Sequence, residues 1–357
     1  MRIGASGGDC ATGLVFSEMP ARDAKRILLL KLSSMGDIIH TLPALSVLRK
    51  GYPEADITWV VDERWQDILE GNPDLTRIVA LNKKRLAYSL YAWREAAKIL
   101  RSFKPDLCID FQGLFYTGFL SYLSGANDRI GFASAREFSP WFYTERFGIS
   151  FEGIHAVERY MKLAQFAGAV DSTIEFKIVT GERDIKYIGT FLGEHSLLVA
   201  IHPGARWQTK RWSLEGFARV ADYLSNKYKA QIILIGARED TEYNNRMKSL
   251  MSAKSLDLTG KTDLKQLAAL FEKTDLLLTN DSGPMHLAAA LGRRVLAIFG
   301  PTDPARTGPY GQSRNVVRQD ISCRPCFKKH CGSLLCLTGV SVEAVIKAAE
   351  EVLKTGR

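Results

Sequence analysis

Short apolar runs alternate with helix-period stretches along most of the chain. "RILLLKL", from Arg26, reads as a buried strand, and "LPALSVLRKGYP" as a helix stopped by Gly51 and Pro53. "DITWVVD" is the next strand, "RWQDILEGNP" a short helix, "RIVALN" a strand, "LYAWREAAKILRSFKP" a helix and "DLCIDFQG" a strand. The alternation restarts at "SLLVAIHPGA" and continues through "SLEGFARVADYLSNKY", "AQIILIGA", "DLKQLAALFEKT", "DLLLTND", "GPMHLAAALG" and "RVLAIFG". Apolar strands separated by helices are what a parallel sheet covered on both faces requires. The pattern therefore predicts an α/β protein with two doubly wound domains in succession. Residues 1–24 are rich in Gly and Ala, show no periodicity and read as a loose tail. The domains are expected over 25–183 and 184–357, and the closing helix "SVEAVIKAAEEVLKTG" suits either one.

Open parallel sheets bind ligands outside the carboxyl ends of their strands, so the loops there carry the candidate chemistry. No GxGxxG follows the first strand and no GxxxxGK[ST] occurs, which argues against a dehydrogenase and a P-loop NTPase. Three other loops stand out. In "LLLTNDSGPMHLAAALG", a strand ends at Asn280-Asp281-Ser282-Gly283 and Pro284 opens a helix. Free N–H groups and the positive helix end make this an anion site, while a well-capped helix without a ligand is the plainer reading. Asp281 is awkward beside an anion unless it is needed there, for instance to position a sugar hydroxyl. His286 follows on the same helix. In "HPGARWQTKRWSLEGF", Arg206, Lys210 and Arg211 precede a helix capped by Ser213, which suits a diphosphate or simply a solvated basic loop. In "KLSSMGDIIHTLPAL", Asp37 stands where a helix begins. It reads either as an ordinary cap or as a general base at the cleft edge, with His40 in support.

Composition narrows the partners. The chain of 357 residues is 46% apolar and 24% charged, as in soluble globular proteins. Its formal charge of +9 suits anionic partners. No basic run with interleaved aromatics and no nucleic-acid module is present, so no nucleic acid is expected. No apolar run approaches the roughly 20 residues of a membrane span. A cytoplasmic location is expected. Cys323, Cys326, Cys331 and Cys336 cluster in "CRPCFKKHCGSLLC", a possible structural zinc or iron–sulfur ligand set.

Taken in this order, the loops resemble those of glycosyltransferase family 9, the bacterial ADP-heptose:lipopolysaccharide heptosyltransferases, from Arg26 to the end. "KLSSMGDIIHTLPAL" is similar to the type I version of the first loop, and "HPGARWQTKRW", "TNDSGPMHLAAAL", "FGPTDP" and "DFQGL" fit as well. The resemblance implies a GT-B fold: two Rossmann-like domains facing a cleft, with the donor on the second. It implies Asp37 as catalytic base, Lys210 on the donor phosphates, and Asp281 on the donor heptose with Ser282, Gly283 and His286. Gly204 and Ala205 fall where type I often has hydroxyl residues, so only their backbone N–H groups could serve. Arg206 would assist, Glu239 or Glu242 would take the adenosine ribose, and the adenine would rest near Thr262. Arg64, Arg129 and Arg136 are the candidates for a phosphorylated acceptor. The implied reaction is an inverting transfer of L-glycero-D-manno-heptose from ADP-heptose to the Kdo region of the lipopolysaccharide inner core on lipid A, with fixed cations instead of a required cofactor. That acceptor implies peripheral attachment to the anionic inner face of the inner membrane. Heptosyltransferase II or another family 9 acceptor is the alternative, and a non-catalytic nucleotide-sugar-binding protein is the alternative of another class.

Overall fold

The computed structural model describes residues 22–193 and 197–354. The first half builds a six-stranded sheet from β1 (Arg26–Leu30), β2 (Asp56–Asp62), β3 (Arg77–Leu81), β4 (Leu107–Asp110), β5 (Asp128–Phe132) and β6 (Glu145–Phe147). The order is β3-β2-β1-β4-β5-β6. The second half repeats the design with β7 (Leu198–His202), β8 (Gln231–Leu234), β9 (Ser255–Asp257), β10 (Leu276–Asn280), β11 (Val295–Phe299) and β12 (Val316–Arg318), ordered β12-β11-β10-β7-β8-β9. All pairings in both sheets are parallel.

The first half carries α1 (Met35–Gly51), α2 (Lys83–Leu86), α3 (Leu90–Ser102), α4 (Phe115–Leu123) and α5 (Ala156–Phe166). Successive side chains of a strand point to opposite faces. Accordingly Ile27 and Leu29 of β1 pack with α1 and α5, whereas Leu28 and Leu30 pack with α3 and α4. The second half carries α6 (Glu182–Gly189), α7 (Leu214–Tyr228), α8 (Thr241–Leu250), α9 (Leu264–Lys273), α10 (Gly283–Ala290), α11 (Pro304–Thr307), α12 (Leu335–Thr338) and α13 (Val342–Lys354). Helix α13 packs on α7, β11 and β12, which settles its place on the second half. No described helix is long and apolar enough to cross a membrane.

Three expectations change. Residues 1–21 lie outside the described residues, but residues 22–24 are not a loose tail. Arg22 forks onto Glu145 at 2.7 Å on both nitrogens, and Ala24 is buried. The stretch after β2 is a 3-10 turn, Glu63–Ile68, rather than an α-helix. Helix α1 begins well before the apolar pattern of "LPALSV": Ser34 is the N-cap, and Asp37, the third helical residue, takes part in the cap by accepting the Ser34 N–H.

One apolar cluster runs through both halves, joining α1 and α5 to α9 and α10. The tips of α1 and α10 meet most tightly. A Cβ on Gly36 would lie 2.3 Å from Cδ2 of His286, and one on Gly283 would lie 2.8 Å from Sδ of Met35. Each half thus offers a bare backbone to the other's side chain. Overpacking such a contact costs about 1–3 kcal/mol. Gly36→Ala is expected to retain its circular dichroism spectrum while its radius of gyration in solution scattering increases. An unchanged radius would show that this contact does not hold the halves together.

Candidate active site

Both sheets have their switch point where two loops leave neighbouring strands in opposite directions, β1 and β4 in the first and β7 and β10 in the second. At the first, the Ser33 N–H donates to Gln112 Oε1 at 3.0 Å. The loop holding Gln112 is pinned by buried Asp110, whose Oδ1 accepts the Gln112 and Gly113 N–H groups at 2.8 and 3.0 Å. Asp37 follows one turn on. Its Oδ2 accepts from the Ser34 N–H at 3.0 Å and the Ser34 hydroxyl at 2.8 Å.

Beneath Asp37 lies Lys31, only 2% exposed at the end of the first strand's apolar run. Its Nζ donates to the Phe111 carbonyl at 2.9 Å and to Tyr160 Oη at 2.7 Å. Tyr160, on α5, in turn donates to Asp37 Oδ1 at 3.4 Å. Burial raises the Asp37 pKa, but the Lys31 charge, the two Ser34 donors and His286 outweigh it and hold the carboxyl below its ordinary range. Asp37 is therefore ionised at neutral pH and has an acceptor oxygen available. Neither Lys31 nor Tyr160 stands out in the sequence as a site residue. A lysine closing an apolar run was the available signal.

The second switch point gathers the cationic loop. Lys210 Nζ pairs with Asp281 Oδ2 at 2.6 Å, and the Thr302 hydroxyl donates to the same oxygen at 2.6 Å. His202 Nδ1 and Ser282 Oγ lie 3.0 Å apart, joining the ends of β7 and the loop after β10. Gly204 and Ala205 are buried. A Cβ on Gly204 would come 2.9 Å from Asp240 Oδ1, so the backbone approaches too closely for any other residue to fit without a shift. Arg211 Nε donates to the Ala205 carbonyl at 2.8 Å and Lys210 turns in to Asp281, which leaves Arg206 as the exposed cation of the loop. Glu239 is exposed after β8 and Thr262 half-buried after β9. Their loops are clasped by the Gly260 N–H donating to the Gly236 carbonyl at 2.8 Å.

Three histidines close the seam between these loops. The ring of His40 (α1) lies 4.4 Å from that of His286 (α10) and 5.1 Å from that of His155, the N-cap of α5. His155 Nδ1 accepts the Val157 N–H, so its Nε2 carries the proton donated to the Gly308 carbonyl at 3.1 Å. Burial pushes the His286 pKa down to about 4 and the His40 pKa well below its usual value, so both rings are neutral at physiological pH.

The acceptor-side arginines separate. Arg64 follows β2 at the cleft edge, forking onto Asp62 at 2.8 and 2.9 Å, and within electrostatic range of Lys83, as Arg206 is from the other half. Arg136 is exposed, with its backbone N–H on the Gly113 carbonyl at 3.0 Å. Arg129 does not join them: it lies near the amino end of β5. Its guanidinium donates to the Phe142 and Ala126 carbonyls at 2.8 and 2.6 Å, a structural task on the far edge of the sheet. The cysteine reading is likewise corrected. Cys336 is packed in the second half's core beside Leu337 and Val340, while Cys323 and Cys331 are exposed. Among the described residues, no group of three or more His, Cys, Asp or Glu is placed to hold a metal. Instead the segment braces the site. The Cys326 and Phe327 N–H groups donate to the Pro301 carbonyl, and Thr209 Oγ1 to that of Lys328.

A family model described as glycosyltransferase family 9 (heptosyltransferase) matches residues 93–336. The chain belongs to glycosyltransferase family 9. Lipopolysaccharide heptosyltransferase 1 of Pseudomonas aeruginosa is 30% identical over 315 residues, covering 86% of this chain and 87% of that protein. The glycosyl transferase family 9 structure from Veillonella parvula superposes with a TM-score of 0.80 at 28% identity, covering 93% of this chain and 98% of that one. The structure of the E. coli heptosyltransferase WaaC with ADP gives a TM-score of 0.70 at 26% identity, over 92% and 99% of the two chains. The two facing sheets are thus the GT-B fold, and this glycosyltransferase keeps a carboxylate at each switch point.

Removing the Lys31 charge withdraws the main influence lowering the Asp37 pKa. In Lys31→Met the acid limb of kcat/KM against pH is expected to move to higher pH, because Asp37 then protonates earlier on acidification. The pH profile checks this. An acid limb at its original position would disconnect Lys31 from Asp37.

Proposed function

We propose that this glycosyltransferase moves L-glycero-D-manno-heptose from ADP-heptose to the Kdo region of the lipopolysaccharide inner core, as heptosyltransferase I. The observation that carries this reading is the opposition of Asp37, ionised and oriented by Ser34 and Tyr160, to the Lys210–Asp281 pair across the α1–α10 contact. The relatives support the choice of donor and type: the solved E. coli relative contains ADP, and the P. aeruginosa relative carries the type I name.

In the proposed reaction Asp37 accepts the proton of an acceptor hydroxyl as that oxygen bonds the anomeric carbon from the face opposite the leaving group. The bond to ADP breaks, the configuration inverts, and the electron pair leaves on the diphosphate. Lys210, Arg206 and the N–H groups at Ser282–Gly283 meet that growing charge. Asp281 holds the sugar, itself fixed by Thr302. Gly204 and Ala205 offer backbone N–H groups, Glu239 the ribose contact and Thr262 the edge of the adenine pocket. On the acceptor side Arg64 and Arg136, with Lys83, receive phosphate. The site works in the cytoplasm at the inner face of the inner membrane.

Asp37→Asn separates an enzyme from a binding protein. ADP binding, by calorimetry, is expected to persist, while transfer falls roughly a hundred to ten thousand fold, the usual range for a lost general base. Undiminished transfer removes Asp37 from the mechanism. For the acceptor, Kdo-bearing lipid A is expected to accept heptose and its already heptosylated form to be inert. The reverse outcome would assign heptosyltransferase II.

A further inference from the structure

The first half exposes large apolar side chains, most of them aromatic, that its own core does not use. Tyr88 is 88% exposed, Leu90 79%, Tyr91 64%, Phe138 64% and Trp141 72%. They are not scattered. Tyr88, Leu90 and Tyr91 lie at the start of α3, and Phe115, half-exposed, opens α4. Phe138 and Trp141 sit in the turn after β5, their rings 4.8 Å apart. Phe119 links the three places, with ring centroids 5.2 Å from Trp93 on α3, 6.1 Å from Phe115 and 5.6 Å from Phe142. The turn presents its aromatics at a conformational cost: Glu137 and Phe138 are consecutive non-glycine residues with φ of 57° and 60°, in the left-handed region that side chains disfavour.

Cations border the same surface. Lys84, Arg85, Arg94 and Arg136 are exposed there. Two nearby acids are engaged: Glu137 accepts the Phe115 N–H at 3.2 Å and Glu63 accepts from Asn82 at 2.6 Å; Glu95 lies beside Arg94 on α3. Aromatic side chains set among lysines and arginines match the interface of an anionic bilayer, where rings settle at headgroup depth and each cation gains from the negative surface potential. The starts of α3 and α4 stand at the carboxyl edge of the first sheet, the edge that carries Asp37. Lys83, neighbour to Lys84, reaches Ser33 in the Asp37 loop at 3.3 Å.

We infer that this aromatic and basic face, built from the starts of α2, α3 and α4 and the 138–141 turn, docks the protein onto an anionic lipid bilayer beside the acceptor mouth. The inference rests on the acceptor reading above for the choice of a bilayer over a protein. The face would present the headgroup of a membrane-anchored acceptor to Asp37 without the sugar leaving the surface.

The full chain is tested by flotation with vesicles of phosphatidylcholine alone and of equal parts phosphatidylcholine and phosphatidylglycerol. The wild type is expected to float with the anionic vesicles only. Tyr91→Ser combined with Trp141→Ser should bind at least ten-fold more weakly, and Lys84→Glu combined with Arg85→Glu should release the protein at physiological salt. Both variants should keep their melting temperature and ADP binding, because the altered side chains are exposed. Transfer to a water-soluble acceptor lacking acyl chains should stay at the wild-type rate in the aromatic variant. That arm distinguishes failure here from failure of the transferase reading. The inference is overturned if the wild type ignores the anionic lipid. It is overturned equally if the aromatic variant floats unchanged, or if sedimentation shows a dimer that this variant dissolves, since the face would then bind a second copy.

Discussion

Two helix tips, each with a glycine that admits a side chain of the other, hold the rest in place. Gly36 lets the ring of His286 rest against α1, and Gly283 lets Met35 rest against α10. Because each helix follows a strand at its sheet's switch point, the contact aligns two crevices as well as two helices. Asp37 and Asp281 each stand within a turn of that seam. The apolar cluster running through both halves makes the arrangement part of the folding core.

Electrostatics then divides labour between two acids of the same type. Asp281 is buried against a lysine and a threonine hydroxyl, a pair that keeps its charge compensated and leaves it suited to holding rather than reacting. Asp37 meets its lysine only through the Tyr160 hydroxyl, so it feels the charge while an oxygen remains available. Around both, neutral imidazoles fill the seam with rings that add no charge at physiological pH.

The β-α alternation was plainly legible, because parallel strands buried on both faces must be apolar throughout and the intervening helices must be amphipathic. The helix ends were less so. Helix α1 begins at Met35 because Ser34 and Asp37 form a capping box and the first turn is buried by the other half; the Ser34–Asp37 spacing was the local signal, and the burial left none. The short β6, three residues long, and β12 leave too little apolar sequence to be seen. In the site, loops at carboxyl ends of strands announced themselves through Gly, Ser and Asp, and Asp37, Lys210 and Asp281 stand where those loops were expected to meet. Arg129 misled because proximity to a strand in sequence does not say which end of it, and the amino end faces away from the cleft. The cysteines misled because spacing gives reach without direction: Cys336 turns into the core while Cys331 turns to solvent.

The connection between halves over residues 170–181 is strapped at both ends. Lys177 pairs with Asp74 at 2.8 Å and its carbonyl accepts from Asn72, Thr180 bonds Glu272, and Lys265 reaches the carbonyls of Glu70 and Val179. Helix α1 spans from this joint, where Lys50 pairs with Asp171 and Glu175, to the contact with α10 at its other end. Held at this joint and again where α1 meets α10, the two carboxylates stand on separate halves yet in one fixed register.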